Sequence, residues 1–209
     1  MRLPIGLTLC AAVAAAGCGG PAQQPPPAAA QPALPTASPP AADLPVADNQ
    51  DYANWKKFPV GTAVTRKKVV KNSQDAVTET TVVRLVELTD QKAVVEMQIT
   101  VERSNTPPTV NPAMRLDYPA TFRVPPGLTA EQMSLPSLKA KKTGQETVKA
   151  VGKEYVATVY EWQDSTEAGP MPTRAWLSGD VPGRMVRLES KVAGVGNSTT
   201  EEVVEIKVP

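Results

Sequence analysis

Residues 51–209 predict an all-β fold, a single antiparallel domain of roughly eight or nine strands arranged as a sandwich or a half-open barrel, with one or two short helices. Three observations carry this. Apolar side chains recur at every second position along most of the segment, clusters of Gly, Pro, Asn and Asp interrupt these runs, and neither strand–helix–strand alternation nor an internal repeat is present.

Taken in order, Tyr52, Trp55 and Phe58 share one side of a short helix that Pro59 and Gly61 stop. Ala63 to Lys71 reads as the first strand. Ala76 to Leu88, rich in Val and Thr, and Ala93 to Val101 form a hairpin about Thr89-Asp90-Gln91-Lys92. In its second arm Ala93, Val95, Met97, Ile99 and Val101 alternate with polar residues such as Gln98, the pattern of a half-buried strand.

Between Val101 and Pro136 six prolines predict a long connection with interrupted edge pairing, broken by a strand near Met114 to Val124. Thr129-Ala130-Glu131-Gln132 matches a capping box for one or two helical turns. Glu146 to Val151 and Glu154 to Gln163 make a second hairpin about Gly152-Lys153. Val156, Thr158, Tyr160 and Trp162 share one face of its second strand, and Tyr155, Ala157 and Val159 the other. Apolar groups on both faces predict a strand between two packed layers or lining a half-closed barrel. Arg174 to Ser178, Met185 to Ala193 and Thr199 to Val208 complete the set, with turns at Gly179 to Gly183 and at Gly194-Val195-Gly196-Asn197.

Two segments precede this domain. Residues 18–50 read as a Pro/Ala-rich tether: nine prolines lie between Pro21 and Pro45, and the first charged residue after Arg2 is Asp43. The tract lacks apolar periodicity and its prolines lack backbone donors, so it favours an extended polyproline conformation over a core. Residues 1–17 place one positive charge, Arg2, before an uncharged apolar run ending in Ala15-Ala16-Gly17-Cys18.

That run resembles the bacterial lipoprotein signals cut by signal peptidase II. The resemblance implies a lipid attached at Cys18 and an extracytoplasmic domain anchored to a bacterial membrane, inner or outer. An ordinary secretory signal cleaved after Ala16 is the alternative. Once Cys10 leaves with the signal, Cys18 is the only cysteine of the mature chain, so no intramolecular disulfide is available and a lipid would cap the single thiol.

Composition narrows the function classes. Without Arg2 the chain holds 21 basic and 21 acidic side chains, so no global field attracts nucleic acid. There is no histidine, which removes His-dependent triads and zinc sites; no metal, cofactor or catalytic residue is expected, and the chain is not expected to be an enzyme. Ser137 with Lys139, Glu201 with Glu205, and Asp164 with Glu167 read as surface groups. Trp162 and Trp176, in neighbouring strands, are the candidate ligand-binding residues, with core packing as the competing assignment.

The tract from Trp176 to Glu189 resembles a strand–turn–strand element of exported bacterial β-proteins. The antiparallel pattern as a whole is loosely similar to lipoprotein carriers of the Lol type, whose half-open barrels bind acyl chains. The expectation is a binding or envelope-interaction module, its partners the membrane and either an envelope protein or an apolar ligand; a carrier of that ligand and a purely structural envelope protein are the alternatives.

Overall fold

The computed structural model describes residues 44–72, 75–192 and 196–209; the signal, Cys18, most of the tether and Gly194-Val195 lie outside the described residues. The fold is all-β, with twelve strands and two short helices among the described residues. Ten strands form one open antiparallel sheet rather than two facing sheets. In chain order the strands of the large sheet are β2 (Ala63–Lys71), β3 (Ala76–Leu88), β4 (Lys92–Arg103), β5 (Thr106–Val110), β6 (Met114–Pro119), β8 (Lys141–Ala150), β9 (Lys153–Thr166), β10 (Gly169–Leu177), β11 (Met185–Lys191) and β12 (Ser198–Lys207). Their order in space is β5-β4-β3-β2-β12-β11-β10-β9-β8, with β6 on the other stretch of β4. The remaining strands, β1 (Val46–Asp48) and β7 (Thr121–Arg123), pair with each other.

Both predicted hairpins form, β3 with β4 and β8 with β9. The second turn is Val151-Gly152 rather than Gly152-Lys153, with φ of 50° and 73° at its two residues. Positive φ at both central positions is what a two-residue hairpin loop requires if it is to match the twist of its strands. The strand count exceeds the expected eight or nine for three local reasons. β5 incorporates Pro107 and Pro108, which an edge strand tolerates. The predicted strand from Met114 to Val124 breaks at Ala120 into β6 and β7. β1 falls inside the stretch assigned to the tether, where Val46 to Asp48 pairs with Thr121 to Arg123 and the Pro45 carbonyl accepts from Val124 N. Gly169 to Pro172, which falls between the expected strands Glu154 to Gln163 and Arg174 to Ser178, belongs to β10 and pairs with the end of β9.

One part of the core lies against the sheet under α1 (Gln50–Trp55). Asn49 caps this helix, its Oδ1 accepting from Asp51 N and Tyr52 N. Trp55 is 1% exposed and packs with Val64, Val83, Leu85, Val95, Val186 and Val203, while the Tyr52 hydroxyl donates to the Thr89 carbonyl at 2.9 Å. Asn54 ties α1 to the loop after β10: its Nδ2 donates to Gly179 O at 3.0 Å and its Oδ1 accepts from Gly183 N at 2.7 Å. Beneath that loop lies Arg66, whose Nε is shut off from solvent without an acceptor. Burial lowers its pKa, a shift opposed by Glu201, Tyr118 and Asp51. The helix α2 (Ala130–Met133) carries the expected capping box between Thr129 and Gln132.

At its other end the sheet curls. Three strands separate β8 from β12, a flat-sheet distance of about 19 Å, yet the two strands come within 8 Å between Cα atoms.

Candidate functional site

The curl of β8 to β12 encloses an open groove of about 900 Å³. Its lining follows from the register. Lys141 pairs with Glu161, Glu161 with Arg174, Arg174 with Glu189, and Glu189 with Thr200, so these residues form a single row on one face of five successive strands. All five line the groove, together with Lys139 and Lys191. Directly opposed residues of an antiparallel ladder share a face and stand within reach of each other. The row therefore sets alternating positive and negative side chains across the groove.

Two residues along the strands the same face turns apolar. Ala157, Val159 and Trp176 are buried there, with Trp176 opposite Val159. Arg174 lies over the Trp176 ring at 4.9 Å and Arg187 approaches it at 5.7 Å. The Trp176 Nε1 donates to Glu146 Oε2 at 2.8 Å, and Arg174 also pairs with Glu146 and, through Nε at 3.1 Å, with Glu161. The hydrogen bond from Trp176, reinforced by Arg174, holds the Glu146 carboxyl below the ordinary carboxylate range. Arg174 is thus neutralised within the protein, as is Arg187 by Glu189. Lys141 and Lys191 carry no ion pair among the described residues, and both are exposed.

The two tryptophans are not brought together. Trp162 pairs with Thr173 and Trp176 with Val159, and since 173 and 176 differ by an odd number the rings project from opposite faces. Trp176, 6% exposed, is a core residue at the inner end of the groove face. Trp162 is half-buried at the border of the groove, on the face opposite the charged row; its Nε1 donates to Asp164 Oδ2 at 3.0 Å. Lys139 Nζ bonds the other oxygen of Asp164 at 2.9 Å, and these two bonds, that of Lys139 first, lower the Asp164 pKa. Sequence reasoning found Trp162 but missed Lys141, Arg174, Glu189 and Lys191, whose only signal was alternation within strands of then unknown neighbours.

The other sequence candidates separate. Lys139 gives its ammonium to Asp164 while Ser137 Oγ accepts from the Lys139 backbone N, so the two side chains form no nucleophile–base pair. Glu201 pairs with Lys68 and Glu205 with Thr65, and the bulge between them puts the two carboxylates on opposite faces. Among the described residues no group of three or more His, Cys, Asp or Glu stands together as a metal site. Two smaller hollows accompany the groove: one of about 350 Å³ beside α1, bounded by Asn54, Lys57, Tyr160 and Arg184, and one of about 320 Å³ that adjoins the groove through Ser190, Ser198 and Thr199 and is bounded by Val70, Met171 and Val192. No helix among the described residues is long and apolar enough to cross a membrane.

The sequence matches no protein-family profile and no curated protein. By structure, the chain is similar to a candidate lipoprotein of Parabacteroides distasonis, with a TM-score of 0.43 and 12% identity over 72% of this chain and 97% of that one. It is also similar to a candidate exported protein with a YmcC-like fold from Bacteroides fragilis, with a TM-score of 0.41 and 11% identity over 72% and 97% of the two chains. A third likeness is to the lipoprotein LppX of Mycobacterium tuberculosis, with a TM-score of 0.34 and 11% identity over 77% and 93%.

Proposed function

We propose that this chain is a lipid-anchored extracytoplasmic binding module, attached through Cys18, that holds an extended ligand with negatively charged groups in the groove of β8 to β12. The carrying observation is the row Lys141-Glu161-Arg174-Glu189-Thr200. Lys139 and Lys191 join it along the lining, where Lys139 is held by Asp164 and Arg174 by Glu146 and Glu161, while Lys141 and Lys191 carry no ion pair among the described residues. Because Arg174 and Lys139 are already paired, the positive charge free to meet a ligand rests on Lys141 and Lys191. The role is binding without catalysis. A carrier of acyl chains would call for an enclosed apolar chamber; the large groove is open and crossed by the charged row, although apolar surface also lines it, and that surface with the adjoining hollow of Val70, Met171 and Val192, at about 320 Å³, supports that second reading.

The test is native mass spectrometry of the protein released from its own membrane. The mature chain should begin at a lipid-modified Cys18 and retain an additional ligand mass, which Lys141→Glu with Lys191→Glu should abolish while thermal unfolding stays cooperative. A wild-type protein as bare as the double variant sinks the groove reading, and an unmodified N-terminus sinks the anchor.

A further inference from the structure

The two ends of the large sheet are finished differently. β5 carries Pro107 and Pro108, which remove backbone donors from that edge. β8 is the opposite end, has no proline, and exposes every residue from Lys141 to Thr147. Past the bulge at Thr143 its register with β9 is regular from Gly144 to Ala150. Alternate residues of such an edge turn their N–H and C=O groups outward, where an added strand can bond them.

The side chains select what is added. β8 contains Lys141, Lys142 and Lys149 and a single acid, Glu146, which Arg174 and Trp176 occupy from within the protein. Full antiparallel overlap of two copies of Lys141–Ala150 would set Lys142 of one opposite Lys149 of the other. Like charges directly opposed destabilise a ladder, so the lysines reject a second copy and leave an acidic strand as the complementary occupant.

We infer that the β8 edge accepts an extended acidic segment of a partner protein as an added strand. The backbone supplies the affinity, and Lys142 and Lys149 supply the selectivity. This goes beyond the groove and does not depend on it.

The test uses a fluorescent peptide of alternating Glu and Thr, a version N-methylated at alternate residues, and a Lys/Thr counterpart, titrated by anisotropy into the mature chain at low salt. Saturable binding of the Glu/Thr peptide is expected, with at least about tenfold weaker binding of both other probes and a similar loss with Lys142→Glu and Lys149→Glu combined. Lys191→Glu, in the groove, should leave this binding unchanged. Absence of saturable binding, equal binding of the N-methylated probe, or a loss caused by Lys191→Glu would each overturn the inference. The N-methylated probe acts on the wild-type chain, so the outcome does not hang on a variant folding.

Discussion

Gly183 and Gly152 have nearly the same backbone, φ 72° and 73°, in different surroundings. A Cβ on Gly152 meets nothing within 4 Å, whereas one on Gly183 falls 2.5 Å from Arg66 Nη2 and 3.4 Å from the Trp55 ring. Gly152→Ala should therefore cost only the left-handed backbone penalty, about 1 kcal/mol. Gly183→Ala carries the same penalty plus about 1 to 3 kcal/mol for overpacking, since the Arg66 guanidinium lies against the loop with its Nε shut off from solvent and the Asn54 bond holds the loop down. In a domain of this size the two should lower Tm by about 3 °C and about 6 to 12 °C respectively. Urea unfolding of each variant, and of each combined with Arg66→Met, measures the difference. The cycle should show about 1 to 2 kcal/mol of coupling between 183 and 66 and none between 152 and 66. Equal losses at the two glycines would refute the claim that the loop after β10 is clamped onto Arg66 and α1.

Val151→Asn should raise stability by about 0.5 kcal/mol in thermal melts, because a β-branched residue at φ 50° is strained where Asn is tolerated; a lower Tm would contradict the turn geometry. Val95→Asp, at a position 0% exposed, should cost several kcal/mol in chemical denaturation, while Gln98→Asp on the exposed face should cost under about 1. Similar losses for the pair would mean that the faces of β4 are misassigned. The lowered pKa of Glu146 gives stability that is fully present above its unfolded value, about 4.3, and is lost as pH falls through the lower folded value. Glu146→Gln should therefore flatten the acid limb of the stability profile below about pH 4.5, and an unchanged limb would show that Trp176 and Arg174 do not hold the ionised form.

Much of the local structure was legible in the residues. β2 runs from Ala63 to Lys71 as expected, both hairpins close near their polar turns, and the Thr129–Gln132 capping box forms. These features depend on side chains one to four positions apart, which the chain order itself displays. The short edge strands were less visible. Thr106 to Val110 contains two prolines that argue against a strand anywhere but at an edge, and Val46 to Asp48 is held by three pairings to residues more than 70 positions away.

By itself, then, the sequence determined the fold class, the faces of the long strands, and the signal-like run ending at Cys18, because period-two burial and signal layout are written in consecutive residues. The tertiary structure alone decided that Trp162 and Trp176 stand on opposite faces, that Lys141, Glu161, Arg174, Glu189 and Thr200 form one row, and that β8 is left with a free edge. Each of these depends on which strands are neighbours and on a register in which a one-residue slip turns every side chain to the other face. Register is set by pairings distant in sequence and by the curl of the sheet, neither of which leaves a mark on the strands taken singly.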